Sequence, residues 1–437
     1  MNLLTIAWKS IKQRGLASSL TSVSVALGVM LMVAVMVIHG IIDKMFKQQE
    51  IGYDLIVGPK GSDLQLVLSS VYRISPPIEN VPYKYYEQIK NDKLVEVAIP
   101  IALGDTSDKG NFPIVGTTGE YFTTEYAPDK MFRARWKEGQ QGFKTTLDAI
   151  IGAEVARRNN WDIGSTFKLV HSGQDAHVHN ELFTVVGVLE RTNTPNDKTV
   201  FIHLEGFYGI ADHGKPFDEA VERLEDFFDK KYTPEEIEEL RRDPKARKEV
   251  TAIFVRIRRP PDDPDADASF SVIKFQQKLN KGYKARAVNP IDPMKDLMDN
   301  VVGNVQMAVL ILVALIIAVS GVSIFVSIYN SMADRKKEIA IMRALGARRQ
   351  TVFAIILTES ILLCVVGGLV GVLAGHGLVF AAAPIVEAKT GGLIIDPFAF
   401  HPYELILIPV LILMASLVGF IPGMTAYRTD VAETLGD

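Results

Sequence analysis

The chain has a single cysteine, Cys364, in 437 residues. No internal disulfide and no cysteine-based zinc site can form, so any domain outside the cytoplasm is held by its core alone. A G-x-x-x-x-G-K-[ST] phosphate loop is missing, and GPKGSD at Gly58 does not fit that spacing, so ATP hydrolysis is not expected from these residues. H-E-x-x-H and G-x-S-x-G are also missing, and no cysteine nucleophile lies outside an apolar run, which argues against a membrane-anchored hydrolase and leaves no catalytic residue to name. Positive charge is not in excess. The formal net charge is −4, which gives no sign of a nucleic-acid partner.

Hydrophobic residues, by contrast, make up 48% of the chain, and its mean hydropathy is +0.16. The excess lies in four runs, residues 16–42, 301–330, 351–386 and 405–427, each long enough for a transmembrane helix at about 20 residues per crossing. The first run has a basic start, exceeds the core of a cleavable signal and is closed by no small-x-small site, so it reads as a retained anchor. Lys9, Lys12 and Arg14 precede it. Arg335, Lys336, Lys337, Arg343, Arg348 and Arg349 follow the second run, and Arg428 follows the fourth. The loop at 387–404, with Glu387, Lys389, Asp396 and Glu404, is not basic. The positive-inside rule then places both termini (1–15 and 428–437) and the basic segment 331–350 in the cytoplasm, and residues 43–300 outside. Within 1–15, Leu3, Leu4, Ala7, Trp8 and Ile11 share a helical face opposite Lys9, Lys12 and Gln13, as in a helix lying on membrane lipids.

The region 43–300 is large enough for a folded α+β domain. Residues 53–57 and 95–103 read as strands around a helix at 82–90, and 251–257 and 284–288 as strands around a helix at 270–279. These βαβ-like pieces suggest a membrane-proximal subdomain from 51–103 plus 251–290, with 104–250 as a distal insertion. The charged run 217–249 reads as one or two solvated helices. Met294, Leu297, Met298 and Val301 suit a helix running straight into the second span, and 43–50 could extend the first span outward, together forming a stalk.

Five of the eight histidines, His171, His177, His179, His203 and His213, fall in one external stretch. His171, His177 and His179 are candidate zinc or copper ligands needing a further ligand from elsewhere, and the competing reading is an exposed polar hairpin loop. Gly367, Gly371 and Gly375, spaced by four, would let the third span approach another helix of this chain or of a second protomer. Glu359 is expected to partner a basic residue of the 331–350 segment, and His39 and His376 lie in or near spans.

That segment, DRKKEIAIMRALGARRQ, is basic and amphipathic and is clamped between two spans. Ile339, Ile341, Met342 and Leu345 could fill a groove on a partner, with Gly346 as a helix stop. A loop that only fixes topology is the alternative. EIAIMRALGARRQTVFAIILTESILL and the glycines Gly367, Gly368 and Gly371 resemble the signature of the MacB/FtsX-type ABC permeases, the mechanotransmission group that includes LolC/LolE. WKSIKQR near the N-terminus and YDLIVGPKGSDLQLVL are similar to that family's first helix and the start of its periplasmic core domain. The resemblance implies an α-helical membrane protein with four transmembrane helices and a large α+β extracytoplasmic domain between the first two. It implies a coupling helix, with Arg335, Lys336, Glu338, Ile339, Met342, Arg343, Leu345 and Gly346 docking into a separate cytoplasmic ABC ATPase. ATP and Mg would sit on that subunit and none on this chain. A homodimer or heterodimer of permeases in the bacterial inner membrane would then export or extract a lipophilic compound, lipoprotein or peptide. An FtsX-like signalling scaffold controlling a periplasmic adaptor or cell-wall hydrolase is the alternative.

Overall fold

A computed structural model describes residues 3–13, 15–46, 51–171, 178–210, 213–259, 266–282, 284–389 and 404–428. The chain divides into two compact units, Met45–Met298 and the pair Met1–Lys44 with Asp299–Asp437.

Helices α1 (Leu3–Gln13) and α2 (Gly15–Phe46) open the chain, and the α+β unit follows. Its strands are β1 (Leu55–Pro59), β2 (Val81–Pro82), β3 (Val95–Ser107), β4 (Pro113–Thr117), β5 (Ala134–Trp136), β6 (Asp148–Ile151) and β7 (Thr166–Phe167), then β8 (Leu169–His171), β9 (Phe183–Leu189), β10 (Val200–His203), β11 (Glu249–Val250), β12 (Ala252–Ile257) and β13 (Ala285–Val288). Its helices are α3 (Asp63–Ser70), α4 (Tyr83–Lys90), α5 (Glu120–Thr123), α6 (Ala153–Asn159), α7 (Leu204–Gly209), α8 (Phe217–Phe228), α9 (Pro234–Arg242), α10 (Ala266–Asn280) and α11 (Ile291–Leu297).

The four strands expected near the membrane run side by side in the order β13-β1-β12-β3, every neighbour antiparallel. β1 and β3 are therefore parallel with β12 between them, and β12 and β13 are parallel with β1 between them. Two interleaved split βαβ units, the ferredoxin-like arrangement, result. The expected boundary at residue 103 falls inside β3, which pairs with β12 as far as Ile101 and with β4 and β8 beyond it. The sheet thus continues through β4, β10, β6, β9 and β5 into the insertion without a break.

Alternation along the strands explains why their sequences are apolar almost throughout. Leu55, Val57, Ile253, Val255, Ile114, Val200, Ile202 and Ile151 bury on one face with Tyr86, Ile89 and Phe275 from α4 and α10. Ile56, Ala252, Phe254, Val115, Phe201 and Ile150 bury on the other with Leu66, Val67, Tyr121, Phe122 and Met294 from α3, α5 and α11. A sheet covered on both faces needs apolar residues at both parities. The charged run forms α8 and α9 as expected. Thr233 and Glu236 close a capping box on α9, and Leu224, Leu240 and Ala246 form a small separate core.

Glu154 in α6 illustrates how a buried charge is held. Its side chain is 5% exposed and accepts from Arg157 Nε at 2.9 Å and Arg158 Nε at 2.7 Å. Burial alone would raise its pKa, but the bonds and charges of Arg157 and Arg158 outweigh that and hold it at about 2. A depressed carboxylate stabilises the fold above its unfolded pKa of 4.5 and loses that contribution as pH falls toward 2. Because Arg157 is solvent-exposed and screened, Glu154→Gln is expected to cost only about 1–2 kcal/mol at pH 7. The difference should vanish near pH 2, as read by intrinsic-fluorescence melting of the purified chain.

The second unit contains α12 (Gly303–Ala344), α13 (Arg349–Lys389) and α14 (Glu404–Arg428) with α1 and α2. A π turn at Met298–Val302 joins α11 to α12, so the backbone is helical from Ile291 to Ala344. Among the described residues three helices carry stretches long and apolar enough to cross a bilayer, Ser18–Val37, Ile291–Ile316 and Arg349–Pro384, and α14 carries a shorter one, Pro409–Thr425. The second stretch begins before the expected 301 because the helix does not break there. The expected external loop at 387–404 and the tail at 428–437 lie almost wholly outside the described residues.

Candidate functional site

The segment expected as a separate coupling helix is the end of α12. The helix closes at Gly346, whose φ of +100° suits glycine. Gly346 N–H donates to Arg343 O at 3.0 Å and Ala347 N–H to Met342 O at 3.0 Å, the paired bonds of a Schellman cap. α13 begins almost at once, and Arg348 and Arg349 lie at its start, where the helix dipole disfavours cations. Arg349 lies over the Tyr427 ring at 5.9 Å.

This turn sorts the predicted residues. Ile339 is 2% exposed and packs with Val352 and Ile356 in the helical core, with Met342 beside it. Those two support the bundle, so the expectation that Ile339 fills a partner's groove does not fit its position. Ile341 and Leu345, one turn apart, are 49% and 84% exposed. Arg335, Lys336 and Glu338 lie in the helical backbone of α12. The exposed surface is thus an apolar knob, Leu345 with Ile341, beside Arg348 and Arg349.

The glycine stripe packs within the chain. A Cβ on Gly367 would meet Ser22 O at 2.7 Å, one on Gly371 would meet Ala26 O at 2.6 Å, and one on Gly375 would meet Val33 Cβ at 2.8 Å. All three face α2. α1 also rests on α13, with Ala7 and Ser10 buried and Trp8 54% exposed. Glu359 accepts from Ser10 Oγ at 3.1 Å, joining α1 to α13. His376 Nε2 pairs with Glu404 Oε2 at 3.1 Å, joining α13 to α14. His39 lies in α2.

In the α+β unit, His171 and His179 lie close to Asp105 and His213. His177 lies outside the described residues. His203 is elsewhere. Its Nδ1 accepts from Glu205 N–H at 3.1 Å to cap α7, and burial lowers its pKa. Asp105 carries no sequence signal of its own, because β3 runs on to Ser107, past the expected strand end at residue 103. His213 was visible in the histidine-rich stretch but has no diagnostic spacing to the others.

Two family models match this chain, the MacB-like periplasmic core domain over residues 18–268 and the FtsX-like permease C-terminal domain over residues 310–431. An uncharacterized ABC transporter permease of Methanocaldococcus jannaschii is 24% identical over 99% of this chain and 97% of its own. The macrolide export ATP-binding/permease protein MacB of Rhodopirellula baltica is 25% identical over 43% of this chain, and that of Neisseria meningitidis serogroup A is 30% identical over 22%. The matches span only 27% and 15% of those two longer proteins. The crystal structure of the periplasmic region of MacB from Actinobacillus actinomycetemcomitans aligns with 57% of this chain and 94% of its own, at 13% identity and a TM-score of 0.32. The core-domain match covers more than half of the chain and the permease match follows it in order, so this chain belongs to the MacB/FtsX-like ABC transporter permease family.

Proposed function

We propose that the chain is the permease subunit of an ABC system. It takes up motion from a separate cytoplasmic ATPase and delivers it to the α+β domain on the far side of the membrane, without itself hydrolysing ATP. In this reading α14 is a fourth span, both termini are cytoplasmic, and two permeases pair with two ATPases in a bacterial inner membrane. The observation that carries it is the Schellman-closed turn after α12, which presents Leu345 to solvent beside Arg348 and Arg349. Unbroken helical backbone back to Ile291, with Met294 buried in the α+β core, supports a mechanical role for α12. The cargo is a lipophilic compound, lipoprotein or peptide drawn from the outer leaflet or periplasm.

Affinity purification of the intact chain from its native membrane in mild detergent tests this. An ATPase subunit at equal stoichiometry is expected. Recovery of the permease without any ATPase across several detergents would leave the coupling role without support. A cell-wall hydrolase or adaptor in place of cargo would redirect the reading to signalling.

A further inference from the structure

We propose that Asp105, His171, His179 and His213 form a binding site for a borderline divalent metal, zinc first among them. The proposal does not depend on the transport reading.

Four separate parts of the chain supply these groups. Asp105 lies near the end of β3, His171 ends β8, His179 lies between β8 and β9, and His213 precedes α8. β8 pairs with β3 in a register that sets His171 opposite Asp105. His171 Nδ1 is 3.0 Å from Asp105 Oδ1, His213 Nε2 is 3.1 Å from Asp105 Oδ2, and His179 Nε2 is 3.9 Å from the same oxygen. One ligand atom from each residue lies within 4.8 Å of all the others. Tetrahedral zinc with bonds of about 2.0–2.1 Å holds its ligand atoms roughly 3.4 Å apart, so small side-chain movements close the set.

The hydrogen bond behind His213 decides what the cluster needs. His213 Nδ1 is 2.8 Å from Phe207 O. A carbonyl oxygen can only accept, so Nδ1 carries the proton and neutral His213 aims its Nε2 lone pair at a carboxylate oxygen. Lone pair facing lone pair requires a cation between them or a proton on the ring. A proton satisfies one ring, and protonating all three would set three like charges around one carboxylate. One divalent ion accepts all four donors. A ring N–H donated to a backbone carbonyl is also the usual outer support of a metal-bound histidine. Three imidazoles, one carboxylate and no thiolate suit zinc, cobalt or copper, not calcium or magnesium. The side chains of His179, His213 and Asp105 are 3%, 4% and 1% exposed, whereas that of His171 is 46% exposed, leaving a side open for the ion to enter.

The full-length chain in detergent, stripped with a chelator and titrated with Zn²⁺ alone, is expected to take up one ion per chain with a raised unfolding temperature. His171→Ala removes the one half-exposed member of the set and should weaken binding at least tenfold. His203→Ala should bind as the parent does. Co²⁺ should give the intense visible bands of a tetrahedral site, and these should fade in His171→Ala. No uptake of Zn²⁺, Co²⁺ or Cu²⁺ by the parent would overturn the proposal and leave a protonated Asp–His cluster. Uptake unchanged in His171→Ala, with Co²⁺ bands unaltered, would overturn it equally by placing the ion elsewhere.

Discussion

Gly371→Leu is expected to leave little monodisperse protein after detergent extraction. At this position α13 touches the backbone of α2. Even a methyl group would approach Ala26 O to 2.6 Å and Val29 Cβ to 2.7 Å. Backbone cannot move aside as a flexible side chain does, and overpacking a close contact costs about 1–3 kcal/mol where relaxation is easy. Here the helices must separate, which also parts Gly367 from Ser22 and Gly375 from Val33, so the loss should exceed that range. Gly377 provides the matched control. It lies on the same helix, and a Cβ added there would meet nothing within 4 Å, so Gly377→Leu should extract and melt like the parent. Size-exclusion profiles of the two variants decide the matter. Equal, sharp peaks would mean that α2 and α13 do not pack as described. Gly371→Ala should fall between them, since its methyl, 2.6 Å from Ala26 O, still forces α2 away, but by less than a leucine side chain does.

What could be read in advance followed from patterns local to a few turns of chain. The spacing of Gly367, Gly371 and Gly375 announced a close helix contact but not its partner, because α2 lies more than three hundred residues earlier. The strands of the α+β unit were legible as apolar runs. Their common sheet was not, because β3 extends through a glycine and an aspartate that mimic a turn: Gly104 and Asp105. For the same reason nothing local ties Asp105 to the histidines, which it meets only through the pairing of β3 with β8. His179 and His213 are 34 residues apart, and nothing local records that these two stretches of chain meet. Ile339 shows the opposite failure. An amphipathic stripe names the apolar residues of a helix, but it does not say which of them face the chain's own bundle and which face outward. On α12, Ile339 turns in while Ile341 and Leu345 turn out.

That division gives the sharpest test of the turn after α12. Leu345→Asp should leave insertion, yield and melting unchanged, because a side chain 84% exposed contributes little to this fold. On the coupling reading it should nevertheless reduce recovery of the ATPase at least tenfold, since a buried apolar anchor at an interface is worth about 2 kcal/mol or more. Ile339→Asp should behave in reverse order. It buries a carboxylate among Val352 and Ile356, so folding should fail before docking is tested. Gly346→Pro probes the turn itself. Proline fixes φ near −65°, where Gly346 has +100°, and removes the N–H that bonds Arg343 O. The cap should open, swinging Leu345 and Arg348 away from their present places while the spans stay apolar enough to insert. If Leu345→Asp and Gly346→Pro both retain the ATPase at parental stoichiometry and with parental stimulation of hydrolysis, the knob is not the docking surface. The basic residues around it would then serve only to fix topology. If both lose it while Ile339→Asp alone loses the fold, the turn that closes α12 is where the ATPase docks.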